Sequence, residues 1–192
     1  SKVSYKTIAS NPAFIYFIFI FGFYFIAEHG ILNWLVTYSN KQLGYSMSQS
    51  STYLSIFFGG ITLGRLVLSP IVDKLGVFKS VTISAIVGGT LYVLGALVGK
   101  DFIMLLSLSG ICISTIYPML VLMIRKFYPS HAIATATGTI ISIATLFDIA
   151  FNMLFGVMVD SIGFHKSFFI LPLSMIAFCF CFFLFRKNIS TL

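Results

Sequence analysis

The sequence predicts an all-α membrane protein with six transmembrane helices, arranged as a 3+3 inverted repeat. Hydrophobic residues make up 58% of the 192 residues and charged residues only 9%, whereas a soluble domain is about 25% charged. The few charges also divide the chain into apolar stretches of about 20 residues, the length that crosses the hydrocarbon of a bilayer. Because backbone polar groups must be satisfied internally in lipid, each stretch is predicted to be a helix.

The six helices are predicted to form one bundle over residues 1–192, joined by short polar links with no soluble domain between them. Their predicted bounds are about 10–38, 47–72, 79–99, 102–126, 130–159 and 164–186. The last helix is crowded with phenylalanines that we expect to face lipid, namely Phe178, Phe180, Phe182, Phe183 and Phe185.

The positive charge of the chain is interpreted as a topology signal. Six helices place nine of the 12 Lys and Arg residues on the side of both termini and three, Lys41, Lys100 and Lys166, on the other side. The positive-inside rule then predicts cytoplasmic termini in a multi-pass protein, for which we expect the plasma membrane. The net charge of +7 is thereby accounted for, so no nucleic-acid partner is expected.

A short internal repeat supports the inverted arrangement. Residues 69–76 end the second helix and residues 156–163 end the fifth, and both read small residue, three residues, Asp, two residues, Gly. The copies are three helices apart, an odd number, so the two sets run in opposite directions. Inverted repeats of this kind are typical of secondary transporters.

The second helix carries a run of small, acidic and basic residues at its end: Gly64, Arg65, Ser69, Asp73, Lys74, Gly76 and Lys79. A glycine permits a tight turn there, and basic residues favour the anionic inner leaflet. The run resembles the major facilitator signature between helices eight and nine. Ser69 stands where that signature usually has glycine, and Lys79 is all that remains of its final basic pair.

Two further stretches sharpen the resemblance. Residues 27–38 contain a Glu, a Trp and a Thr-Tyr pair, and residues 55–65 contain Gly-x-x-x-Gly-Arg. They resemble helices seven and eight of the fucose-permease-like (sugar:proton symporter) branch. The resemblance covers essentially the whole chain as helices seven to twelve. It implies a partner that supplies the other six helices: an N-terminal half, a separate chain or a second copy.

Glu28 is the first candidate for substrate binding or proton coupling, because an intramembrane charge usually faces a cavity or a partner. A structural hydrogen bond and a position in an external vestibule are the alternatives. On a straight helix Tyr24 shares its face, whereas Asn33 and Trp34 do not. We therefore expect a break at Gly30 that would rephase Asn33 and Trp34 toward the same site. An interfacial position is the alternative for Trp34.

Asp148 and Asn152 form a second candidate site on the fifth helix, where a spacing of four residues places them on one face. Tyr117 on the fourth helix is a further candidate for lining a cavity, and Pro118 is expected to bend that helix. Interhelical hydrogen bonding or plain packing would explain the same polar residues.

A cytoplasmic gate is the third candidate feature. Salt bridges that break and reform would set the balance between inward-open and outward-open states. Topology and solvation explain the same residues equally well. The predicted gate motif comprises Gly64, Arg65, Asp73, Lys74, Gly76 and Arg125.

An enzyme is not expected, because the chain has no GxSxG, P-loop, HExxH or CxxC motif. Cys112, Cys179 and Cys181 lie inside predicted helices and are interpreted as packing or lipid-facing thiols. No cofactor and no metal are expected.

The predicted function is that of the C-terminal half of a secondary active transporter. It would move a small polar solute, such as a sugar, across the lipid bilayer by alternating access, with the proton as the expected coupling ion. A non-transporting membrane scaffold and a truncated, inactive transporter fragment remain as alternatives. Two costly intramembrane acids, Glu28 and Asp148, favour transport.

Overall fold

The computed structural model describes residues 2–189, which form six membrane-length helices and contain no strand. The predicted all-α fold with six spans is confirmed. A short helix α1 (Tyr5–Ser10) precedes the spans. The first three spans are α2 (Ala13–Lys41), α3 (Met47–Leu75) and α4 (Val77–Leu97). The fourth combines α5 (Ile103–Ile113) and α6 (Ile116–Ile124), the fifth is α7 (Ile133–Ile162), and the sixth combines α8 (Phe164–Phe168) and α9 (Ile170–Asn188).

Tight glycine turns join the helices that carry the sequence repeat. Gly76 lies between α3 and α4 with φ 83° and ψ 164°, and Gly163 lies between α7 and α8 with φ 88° and ψ 160°. This backbone region is open essentially to glycine alone. The two copies of the repeat therefore end in the same turn, although they lie on different spans.

Helix packing follows the same symmetry. The first span, α2, packs chiefly against α7 and α9, and the fourth span packs chiefly against α3 and α4. In the inverted repeat, span one corresponds to span four, span two to span five and span three to span six. When each span is replaced by its counterpart, the contacts of the first span become the contacts of the fourth span. The first helix of each set of three is thus packed mainly against the other set, so the two repeats share one core.

The phenylalanines of the last span divide between core and surface. Phe178, Phe182 and Phe185 are fully buried, so the prediction that they face lipid is wrong for these three. Phe180 and Phe183 are exposed, as expected. The spacing of the buried rings, four and then three residues, is that of one helix face, and composition alone does not reveal it.

The second and fifth spans have the least contact with the rest of the bundle. Only 28% of the most apolar stretch of α3 and 22% of that of α7 is buried, against 67% in α2. Their exposed side chains are largely apolar and include Leu66 on α3 and Met153 on α7. Such faces suit lipid or another helical bundle.

Candidate functional site

A break in the fourth span creates the first element of the site. Helix α5 ends at Ile113 and α6 begins at Ile116. Pro118 has no amide N–H to donate to the carbonyl of Ser114 four residues earlier, and its ring crowds that carbonyl. The sequence expectation that Pro118 disturbs this helix agrees with the observed break. The carbonyl oxygen of Ser114 is consequently free to accept a hydrogen bond from another helix.

Arg65 on α3 provides that hydrogen bond. Its Nε donates to the Ser114 carbonyl oxygen at 2.9 Å. Its Nη2 lies 4.0 Å from Oε1 of Glu28 on α2, and its guanidinium carbon lies 6.0 Å from the ring centre of Tyr117. The guanidinium is therefore held between a backbone carbonyl, a carboxylate and an aromatic ring, with its Nη atoms left without a hydrogen bond among the described residues.

Glu28 lies near the middle of α2, 15 residues after Ala13 and 13 before Lys41. Its side chain is only 10% exposed. Tyr24, one helical turn earlier, is fully buried and donates from its hydroxyl to the Ile113 carbonyl oxygen at 3.3 Å. Tyr24 and Arg65 thus both donate to carbonyls at the break in the fourth span.

A cleft of about 340 Å³ opens beside this ion pair. Aromatic and aliphatic side chains form its walls, while charged and hydroxyl groups supply hydrogen-bonding partners. A second crevice, about 410 Å³ between α4 and α9, has no charged lining residue and is a poor site for a polar solute. The polar cleft is lined by Phe25, Glu28, His29, Arg65, Tyr117, Ile141 and Thr145.

A second polar network begins at the next residue of α2. Nδ1 of His29 lies 2.9 Å from Oδ2 of Asp148 on α7. Nδ2 of Asn152 donates to Oδ1 of Asp148 at 3.1 Å. The two residues that were predicted to share a helix face are thus hydrogen-bonded to each other and to the first span.

Asn33 and Trp34 join this second network. Oδ1 of Asn152 accepts from Nε1 of Trp34 at 3.2 Å and from Nδ2 of Asn33 at 3.4 Å. The expected break at Gly30 is wrong, because α2 is continuous from Ala13 to Lys41. Asn33 and Trp34 contact α7 directly, so they need no rephasing, and the glycine instead accommodates Leu171.

Within the predicted gate, Arg65 lies apart from Asp73. Arg65 precedes Asp73 by eight residues on one helix, which is about 12 Å along the axis. Asp73, Lys74 and Arg125 are exposed at the helix ends, and none of them forms an ion pair within residues 2–189. Gly64 packs against the broken span at Ser114, and Gly76 forms the turn described above.

His29 is a residue of the cleft and of the second polar network that the sequence prediction did not include. Adjacent residues on a helix point about 100° apart, so the face that carries Glu28 excludes His29. The sequence does contain a signal for this contact, because a histidine in the middle of one span and an aspartate, Asp148, within another span are potential partners. Among the described residues, no cluster of His, Cys, Asp and Glu could hold a metal ion.

Comparison with known proteins identifies the family. The Major Facilitator Superfamily model matches residues 1–143 of the 192. A search of curated proteins finds no match to the chain. Members of this superfamily are transporters rather than enzymes, and six apolar spans agree with half of such a transporter. The chain therefore belongs to the major facilitator superfamily.

Proposed function

We propose that the chain is the C-terminal half of a secondary active transporter that moves a small polar solute, such as a sugar, by alternating access. The observation that carries the proposal is the Glu28–Arg65 pair, which lies in a polar cleft at mid-span beside a broken helix. Intramembrane charges are costly and mark solute pathways. Broken helices supply backbone groups to transporter sites.

The composition of the cleft favours a polyhydroxylated solute. Arg65 offers free N–H donors, Glu28 offers acceptors, and Thr145 offers a hydroxyl. The half-buried ring of Tyr117 provides an apolar face on which a sugar ring could stack. This combination supports the resemblance to the fucose-permease-like branch, and we propose a sugar as the solute on that basis.

Alternating access requires a second six-helix bundle across the cleft. The exposed apolar faces of α3 and α7 are the proposed contact surface for that bundle, whether it is an N-terminal half, a separate chain or a second copy. Asp73, Lys74 and Arg125 lie unpaired among the described residues, which leaves them available for gating contacts with it.

The proposed orientation places both termini in the cytoplasm at the plasma membrane. Because Arg65 lines the cleft, it no longer counts among the nine Lys and Arg residues assigned to the side of the termini. Eight then remain on that side, against three on the other side. The positive-inside bias therefore persists. Coupling to protons belongs to the same proposal, and the two intramembrane acids, Glu28 and Asp148, are its candidates.

Uptake of radiolabelled L-fucose and D-glucose into proteoliposomes tests the proposal. We expect saturable uptake of one sugar, increased by an inward proton gradient. Glu28→Gln and Arg65→Gln should each reduce the uptake at least about tenfold, because each leaves an intramembrane charge without its partner. Asp160→Asn, at an exposed acid beyond the cleft, is the matched control and should retain uptake.

The same assay separates the alternatives. No uptake by a well-folded chain, alone or in the presence of a co-reconstituted six-helix half, would favour the membrane scaffold or inactive fragment. Uptake that Glu28→Gln and Arg65→Gln leave unchanged would place the solute elsewhere in the bundle.

A further inference from the structure

Within residues 2–189, the two ion pairs both begin at adjacent positions in the middle of α2. Glu28 pairs with Arg65 on α3, and His29 pairs with Asp148 on α7. Spans α3 and α7 are equivalent in the inverted repeat and are the two least buried spans. The first span thus holds both peripheral helices through neighbouring charged groups, of which only the Glu28–Arg65 pair is used for the solute above.

We propose that the His29–Asp148 pair is the proton-binding site of this transporter. The inference rests on the proposed proton-coupled function and deepens it by naming where the proton binds. Histidine is the side chain whose ordinary pKa, about 6.5, lies within the physiological range. His29 lines the solute cleft and its side chain is 38% exposed, so its ring is accessible from the cleft.

The hydrogen bond to Asp148 determines which ring nitrogen takes the proton. Nδ1 lies 2.9 Å from a carboxylate oxygen, and an ionised carboxylate only accepts hydrogen bonds, so Nδ1 carries the hydrogen in the neutral ring. Nε2 is then the basic nitrogen, and it has no hydrogen-bond partner among the described residues. Proton binding at Nε2 forms an imidazolium whose charge is balanced by Asp148, without breaking any bond.

Glu28 is less suited to this role. Its carboxylate lies 4.0 Å from the guanidinium of Arg65, so it already has a cationic partner on α3. The groups that face His29 are Glu28 on its own helix, Asp148 on α7, and Arg65 and Tyr117 across the cleft. The charged residues described on α8 and α9 lie at the ends of the sixth span.

Trp34 provides a direct readout of the proposed site. It is the single tryptophan of the chain. Its Nε1 donates to Asn152, which in turn donates to Asp148. A change of charge on His29 alters the field at Asp148 and the geometry of this short chain of hydrogen bonds. Indole emission responds to such changes, so it can report protonation without any transport.

The test is a fluorescence titration of the purified chain in detergent between pH 5 and pH 9. We expect a single sigmoidal change in Trp34 emission that is lost in His29→Gln, whose amide can still donate to Asp148 but does not titrate. The chain has three histidines, so His131→Gln and His165→Gln are matched controls that should retain the transition.

Two outcomes would overturn the proposal: a wild-type chain without a transition, or a transition that survives in His29→Gln. Circular dichroism and gel filtration establish that each variant is folded. Proton uptake after a pH jump, measured with an indicator dye, should fall by about one proton per chain in His29→Gln. An intact titration in a chain without sugar uptake would refute the proposed solute and leave the proton site standing.

Discussion

Replacing Pro118 with alanine tests whether the proline positions Arg65. Alanine restores an amide N–H that can donate to the carbonyl oxygen of Ser114. This N–H would compete with Nε of Arg65, which donates to the same oxygen at 2.9 Å. A proline costs up to about 3 kcal/mol relative to alanine inside a helix. A hydrogen bond that involves a charged group contributes about 1.5–3 kcal/mol. We therefore expect the gain and the loss to offset each other to within about 2 kcal/mol.

Pro70→Ala is the matched control, because α3 continues through Pro70 and no other helix donates to the Leu66 carbonyl among the described residues. That variant should gain helix stability without a compensating loss. Stability would be measured by thermal unfolding in detergent and function by sugar uptake. Pro118→Ala should reduce uptake as Arg65→Gln does. If it instead stabilises the chain as much as Pro70→Ala and leaves uptake intact, the link between Pro118 and Arg65 is wrong.

Two further predictions concern packing and turns. Gly110→Ala should destabilise the bundle by about 1–3 kcal/mol, because a Cβ there would press on the backbone of Phe57, whereas Gly59→Ala, where nothing lies within 4 Å, should not. Gly76→Ala and Gly163→Ala should each cost about 1–3 kcal/mol, and the two costs should be similar because both turns share one conformation. Unfolding by SDS measures all four, and a large difference between the two turn variants would contradict the structural equivalence of the repeats.

The six spans could be predicted because a bilayer imposes its requirement on every residue locally. A charged residue within a span is costly wherever it lies, so charges and turn glycines alone divide the chain. The two glycine turns could also be predicted from local sequence, because an aspartate followed three residues later by a glycine marks the end of the second span and the end of the fifth span. The end of the first span differs from the prediction, because α2 continues to Lys41, past the predicted end near residue 38. A lysine at a helix end can extend toward the interface, so its charge does not stop the helix.

The partners of the site residues could not be predicted in the same way. Helical periodicity gives the direction in which Asn33 and Trp34 point, but not which helix lies there. Their partner Asn152 is 119 and 118 residues away in sequence. The sequence predicts a break at Gly30 because Glu28, Asn33 and Trp34 are expected to serve one site. The structure distributes them between two sites, so a straight helix suffices.

The assignment of Arg65 shows the same limitation at a motif. The signature groups Arg65 with Asp73 because they are close in sequence, yet α3 separates them by about 12 Å. The nearest acid in space is Glu28, on another helix. A motif in a membrane helix therefore groups residues by their order in the sequence, which does not place their side chains in contact.

Adjacency in α2 explains how a solute and a proton could influence each other. Only one peptide bond separates Glu28 from His29, and the two side chains hold opposite peripheral helices. Under the proposed function, a solute that displaces Arg65 from Glu28 changes the charge distribution beside His29 and so links solute binding to proton binding. Because coupling between two binding sites is reciprocal, a proton on His29 would change the affinity for the solute by the same factor as the solute changes the affinity for the proton. Because both residues lie within the continuous helix α2, their side chains leave its axis about 100° apart and keep this relation.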